Sequence, residues 1–397
     1  MPRVLRIINR LNLGGPTFNA AYLTKFMEPE FETLLVSGMK DAAEESSEFI
    51  VKNLDLHPVY MPEMYRELNP FRDYKSYYKL RKIIDEFKPD IVHTHAAKAG
   101  AVGRLAANHS GVPVILHTFH GHVFHSYFGS VKTRMFLEIE RYLAKRTTKI
   151  IALSELQRDE LVNEFKIAPK DKFSIVPLGF DLSRFETDKE NKRKSFRAKY
   201  NIAHDEIAIG IVGRLVPIKN HELFLNAIHL VTQSTKRKIR VFIIGDGEQR
   251  ANIEATATKL GLKFDNTNPT APNLLTFTSW IKEIDVSNAG MDIIALTSKN
   301  EGTPVSLIEA QASCKPIVST TVGGIENIVL ENVTALLSPK EDVEAFAKNL
   351  LKLIEDDDYR LKMAQDGSHF VRQKFSYHRL CSDMSNLYNS LLPLKKQ

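Results

Sequence analysis

The stretch "ALTSKNEGTPVSLIEAQASCKPIVST", Ala295 to Thr320, decides how the chain folds. Its flanks, "DIIAL" at 292–296 and "PIVST" at 316–320, are short apolar runs of the buried-strand type, and the residues between them read as a helix. Two such strands joined through a helix belong to a parallel sheet covered on both faces. The helix is predicted to start with Thr303 as N-cap and Pro304 at its first position. Between Val305 and Cys314 its only charged side chain is Glu309, and a second carboxylate, Glu301, stands just before its mouth.

The same alternation runs along the whole chain. Apolar runs "RVLRIIN", "FETLLVSG", "DIVHTHA", "PVILHTFH", "KIIALS" and "KFSIVPLG" are followed by "EIAIGIVG", "IRVFIIGDG", "LLTFTSW", "MDIIALTS" and "KPIVSTT", with helical stretches between them. The expected architecture is α/β, with enough strands for two doubly wound, Rossmann-like parallel sheets. With 397 residues the chain exceeds the ~250–300 residues at which one core stops growing. The break is placed at "PLGFDLSRF", Pro177 to Phe185, giving domains 1–180 and 181–374. The tail carries Leu380, Met384, Leu387, Tyr388 and Leu391 on one face of an amphipathic helix, a face that needs a partner.

Net charge is +6, with 43% apolar residues. That balance suits anionic substrates or an anionic membrane surface and is too weak to argue for nucleic acid. Cys314 and Cys381 form neither a disulfide framework nor a metal-ligand spacing. The first residues lack a signal-peptide pattern, and no run approaches the ~18 apolar residues of a spanning helix. A cytoplasmic protein is expected.

Ligands of doubly wound sheets bind beyond the carboxyl ends of the strands, so with two such domains the expected site is the cleft between them. After the first strand, Gly14-Gly15 leads into a helical pattern, a backbone that can approach an anion closely; an ordinary turn fits equally. In "VGRLVPIKN", Arg214 and Lys219 are the only cations between Ile207 and Leu225, and a guanidinium fork beside an ammonium suits a diphosphate. Gly245 and Gly247 lack the third glycine of a nicotinamide fingerprint and read as a tight turn. Glu301 and Glu309 would repel phosphates, so their natural partners are vicinal hydroxyls.

Histidines cluster at His93, His95, His117, His120, His122 and His125. No carboxylate or cysteine joins them in a zinc pattern, so no metal is expected. Structural strand-end histidines remain one reading and a substrate-contacting histidine the other, with His120, beside Gly121, the best placed. Residues 127–149 hold Lys132, Arg134, Arg141, Lys145, Arg146 and Lys149 against Glu138 and Glu140, with Tyr127 and Phe128 at their start. Such a helix fits an anionic membrane surface or a solvated face. "EDDDY", 355–359, reads as surface between helices.

As a set these segments resemble the family 4 glycosyltransferases, retaining enzymes of the GT-B fold that use nucleotide sugars. The Glu-x7-Glu segment from Glu301 to Thr320 carries most of the resemblance, with Gly323-Gly324 after it, "VGRLVPIKN", "PLGFDLSRF" and the closing helix of 375–397. The resemblance implies that this last helix crosses back onto the first domain, which serves the acceptor. Gly213, Arg214 and Lys219 would then hold the donor diphosphate, with Gly14 and Gly15 approaching it, and Glu309 would bind the ribose. Glu301 would contact the transferred sugar, with Gly302, Thr303, Pro304 and Val305 near sugar and phosphate, His120 over the sugar, and Trp280 and Ile281 beside the base. No cofactor or metal is implied, only a nucleotide-sugar donor, expected to be UDP-linked, and a saccharide or lipid-linked acceptor. Three positions depart from the family pattern: Ser279 and Cys314 stand where glycine is usual, and Asn19 where a basic residue or histidine is common. A sugar-nucleotide epimerase of the same fold is the alternative, and a nicotinamide-dependent oxidoreductase a weaker one.

Overall fold

The computed structural model describes residues 1–11, 15–39, 48–65, 67, 69–121, 130–266 and 272–393. By its contacts the chain divides into two compact units, 1–180 with 375–397, and 181–374.

The first unit carries a seven-stranded parallel sheet in the order β3-β2-β1-β4-β5-β6-β7. Its strands are β1 (Arg3–Ile8), β2 (Glu32–Gly38), β3 (Val59–Met61), β4 (Ile91–His95), β5 (Val114–Thr118), β6 (Lys149–Ala152) and β7 (Phe173–Ile175). The connecting helices are α1 (Gly15–Phe26), α2 (Glu48–Asn53), α3 (Pro70–Phe87), α4 (Ala97–His109), α5 (Ser130–Ala144) and α6 (Glu155–Asp159). Asn69 starts α3, its side chain accepting from the Arg72 amide at 3.1 Å ahead of Pro70. Every residue of β4 and β5 is buried, because alternate side chains feed helices on both faces of the sheet.

The second unit repeats the plan in the order β10-β11-β9-β8-β12-β13-β14. Its strands are β8 (Ile207–Val212), β9 (Ile239–Ile244), β10 (Phe264–Asn266), β11 (Leu275–Ser279), β12 (Ile293–Leu296), β13 (Ile317–Thr320) and β14 (Ala335–Ser338). Its helices are α7 (Ser183–Glu186), α8 (Lys189–Lys199), α9 (His221–Ser234), α10 (Arg250–Lys259), α11 (Ile284–Gly290), α12 (Val305–Ala312), α13 (Val343–Glu355) and α14 (Asp357–Phe375). A last helix, α15 (Tyr377–Leu391), is capped by Ser376 and buries Leu380, Met384 and Tyr388 against Val4, Leu23, Ile91 and Leu116 of the first unit. The amphipathic face of the tail is thereby covered. Among the described residues no helix is long and apolar enough to cross a membrane.

The sequence misses three strands, β3, β10 and β14. All are edge strands of three or four residues; β3 and β10 have mostly exposed or half-buried side chains and so lack the apolar run that marks a central strand, and β14, though buried, is only four residues long. The start of α12 also needs correcting. Pro304 is the cap residue, with ψ 96°, and Thr303 lies outside the helix, so no side chain caps α12. The extended Pro304 backbone delays the first helical residue to Val305.

Candidate functional site

In each sheet the first strand of the unit has the next strands of the chain on one side and the later ones on the other. In the second unit β9 to β11 lie on one side of β8 and β12 to β14 on the other, so the switch point falls between β8 and β12. Ligands of doubly wound sheets bind beyond the carboxyl ends of the strands at such a point. Arg214, Lys219 and Glu301 all lie on the loops that leave β8 and β12.

The loop after β8 is fixed from below. Leu215 donates its amide to the Asp246 carbonyl at 2.9 Å and accepts from Gln249 at 2.9 Å, while the Lys219 carbonyl accepts from Thr297 Oγ1 at 3.0 Å. Gly245, with φ +143°, lies so close that a Cβ would fall 1.9 Å from the Gly213 carbonyl. Gly245 and Gly247 therefore form a tight structural turn. Asp246 beside them is held by Ser279 Oγ at 2.6 Å, the Gly247 amide and Arg250, and the Ser279 hydrogen bond is the main reason its pKa is lowered.

Lys219 and Glu301 pair directly, Nζ to Oε1, and Ser298 Oγ donates to the same carboxylate oxygen at 2.5 Å. Both partners are mostly buried. Diphosphate cation and sugar carboxylate, assigned separately from the sequence, thus form one cluster in which the carboxylate is neutralised. Ser298 was not anticipated; its only signal is a hydroxyl three residues before Glu301 at a strand end. Gly324 supports the loop, donating to the Glu301 carbonyl at 2.9 Å, and a Cβ there would lie 1.7 Å from the Gly302 carbonyl. Arg214 is exposed and without a side-chain partner among the described residues. Gly302 is exposed and Thr303 and Val305 are half-buried at the α12 entrance.

Glu309 lies one turn into α12 with 20% of its side chain exposed, and accepts from Arg184 Nη2 at 3.4 Å. Burial raises its pKa to about 7, and the Arg184 charge opposes the rise. Arg184 was missed because it is 125 residues away in sequence. Trp280 is 57% exposed just past β11, with half-buried Ile281 next to it. Ser279 and Cys314 both take left-handed backbone, φ 56° each, the conformation glycine adopts without strain.

The first unit has its switch point between β1 and β4. Gly15 opens α1 beyond β1; Gly14, His122, His125, Tyr127 and Phe128 lie outside the described residues. Asn19 is buried in α1 with no partner for Oδ1 among the described residues. His120 is half-buried, and its Nε2 meets His95 Nδ1 at 2.9 Å. His93 stacks on His95 with ring centroids 4.2 Å apart and reaches Tyr388 Oη at 2.6 Å and Thr118 Oγ1 at 2.7 Å. Burial holds His93, His95 and His117 well below their usual pKa and His120 at about 3, so all four are neutral. His120 Nδ1 and His95 Nε2 have no partner among the described residues. A neutral imidazole with an open nitrogen can donate to or accept from a hydroxyl. No group of metal-ligating side chains forms among the described residues.

Two family profiles match the chain, "Glycosyltransferase Family 4" over residues 22–184 and "Glycosyl transferases group 1" over 192–370. A relative from Escherichia coli, named UDP-Gal:alpha-D-GlcNAc-diphosphoundecaprenol alpha-1,3-galactosyltransferase, is 29% identical over 75% of this chain and 74% of its own length. The capsular polysaccharide biosynthesis glycosyltransferase CapM of Staphylococcus aureus is 27% identical over 86% and 87%. Among solved structures, Anabaena HepE in complex with UDP superimposes with a TM-score of 0.80 at 18% identity, over 98% of this chain and all of that one.

Proposed function

The chain belongs to the family 4 glycosyltransferases and has their GT-B fold, and on that premise we propose that it moves a hexose or N-acetylhexosamine from a UDP-sugar to a saccharide hydroxyl with retention at the anomeric carbon. The acceptor is a lipid-linked or growing saccharide of surface polysaccharide synthesis. The names of the E. coli and S. aureus relatives and the UDP bound in HepE support donor and acceptor class. The observation that carries the reading is the Lys219–Glu301–Ser298 cluster at the switch point of the second unit. It sets a cation for the leaving diphosphate beside a carboxylate for sugar hydroxyls.

In this scheme Arg214, Lys219 and the amides of Gly302, Thr303 and Val305 hold the diphosphate, with Pro304 beside it, Gly213 lets it approach, Glu309 takes the ribose hydroxyls, and Trp280 and Ile281 flank the base. His120 contacts the transferred sugar and Gly15 the diphosphate. The acceptor oxygen bonds to the anomeric carbon as the bond to the β-phosphate oxygen breaks. The acceptor proton passes to a donor phosphate oxygen, and UDP leaves with its charge met by Arg214 and Lys219. The chain works at the cytoplasmic side of a membrane, with 127–149 against anionic lipid.

The test is UDP release from a panel of UDP-sugars with a lipid-linked saccharide acceptor. Arg214→Ala should lower turnover by at least about 100-fold, and Glu309→Gln should leave it low but measurable, both with unchanged melting at neutral pH or a higher Tm. Near-normal turnover in either variant removes that assignment. Product sugar isomerised without UDP release indicates the epimerase instead.

A further inference from the structure

Helices α3, α4 and α5 lie side by side on one face of the first unit's sheet. Residues of α3 and α4 pack on Val92 and Ile115, and those of α5 on Ile150 and Ala152. Two ion pairs join them: Lys98–Asp73 at 2.6 Å between α4 and α3, and the buried Arg104–Glu140 pair at 2.7 Å between α4 and α5. The outer surface of this layer carries two rows of exposed apolar and aromatic side chains. On α3, Phe71, Tyr74 and Tyr78 are 84%, 63% and 49% exposed at spacings that share one helix face. On α5, Met135, Ile139 and Tyr142 are 49%, 39% and 48% exposed at an equivalent spacing.

Neither stripe is purely apolar. Exposed Arg72, Lys75 and Lys82 interleave with the α3 aromatics, and exposed Arg134 and Lys145 with the α5 residues. Of the exposed acids on these helices, Glu86 is paired with Lys82 and Glu138 with Arg141, which leaves Asp85 near the far end of α3. The core of a protein–protein interface is depleted of charge, whereas tyrosines mixed with lysine and arginine suit the headgroup layer of a bilayer.

We propose that the α3 stripe, together with that of α5, is a surface that docks on an anionic lipid bilayer. The cations meet lipid phosphates while Phe71, Tyr74, Met135 and Ile139 enter the boundary of the acyl region. This extends to a second helix, which the sequence pattern did not single out, the membrane contact assigned to 127–149. It rests on the lipid-linked acceptor reading for its purpose only.

The experiment is flotation of the full chain with vesicles of phosphatidylcholine, with and without phosphatidylglycerol, at low and high salt. The wild type should float with the anionic vesicles, less so as salt rises. The double variant Phe71→Ser/Tyr74→Ser should lose at least about tenfold in affinity, and Met135→Ser/Ile139→Ser a comparable amount. All these positions are exposed, so melting should be unchanged, as should UDP release with a water-soluble saccharide acceptor. Flotation of the α3 variant equal to wild type overturns the proposal. So does a wild type that binds no vesicles and forms a dimer that the α3 variant dissolves. Absence of UDP release from every donor overturns the glycosyl-transfer reading and leaves the flotation result standing.

Discussion

Glu309 is the residue whose chemistry is most constrained by its surroundings. Burial raises its pKa to about 7 against the pull of Arg184, so it is half-ionised at neutral pH. Only the carboxylate accepts from both hydroxyls of a ribose diol. Donor KM should therefore climb as pH falls below 7, approaching about tenfold per unit. Arg184→Ala removes the opposing charge and should move this limb to higher pH, whereas Glu309→Gln should flatten it at low activity. KM for the donor measured from pH 5.5 to 8.5 decides the matter, and an unmoved limb in Arg184→Ala would sink the coupling. The position of Glu309 was legible because a lone carboxylate on an apolar helix needs a partner. Arg184, Ser298 and the pairing of His95 with His120 were not, since each partnership joins residues that only the folded loops bring together.

At the scale of elements, the departures from glycine at Ser279 and Cys314 have a geometric meaning. Cys314 follows the last turn of α12, where Cys314 N donates to the Gln311 carbonyl at 2.9 Å and Lys315 N to the Ala310 carbonyl at 3.0 Å. A helix stop of this form needs a left-handed residue, and a side chain there costs about 1–2 kcal/mol. The thiol recovers part of this by accepting from Lys189 Nζ at 3.0 Å. Cys314→Gly should raise stability by about 1 kcal/mol, read as a higher urea midpoint at unchanged slope. An unchanged or lower midpoint would mean that the Lys189 contact outweighs the strain. Ser279 is bound more firmly, through Asp246, and should gain less. The central strands were legible because their apolar runs are long and two-sided; the short edge strands β3, β10 and β14, and the delay of α12 to Val305, depend on neighbours and on the Pro304 backbone.

At the scale of the molecule, two units with separate cores should unfold in two transitions, and acid should separate them. Among the described residues of the first unit, the groups shifted between pH 4.5 and 7 are His93, His95, His117 and His120, all lowered by burial. A histidine whose folded pKa is depressed stabilises above its unfolded pKa of 6.5 and loses that stability as pH falls, because the unfolded chain takes up the proton. From pH 7 to 5 His120, held at about 3, forfeits about 2 kcal/mol, and His93, His95 and His117 add losses of the same sign, against a domain stability of about 5–15 kcal/mol. In the second unit His221, lowered to about 4 by burial, loses a similar amount. Glu309 works the other way: its folded pKa of about 7 is raised, so it regains about 2 kcal/mol over the same interval. The two nearly cancel, and the second unit should stay almost flat. Calorimetry from pH 7 to 5 should therefore show one transition falling steeply and the other holding. UDP at about 100 times its Kd should raise chiefly the acid-resistant transition, by up to about 2.7 kcal/mol, since most of its proposed contacts are in the second unit. If UDP instead protects the acid-sensitive transition, the nucleotide belongs to the first unit and the assignment of Glu309 to its ribose fails.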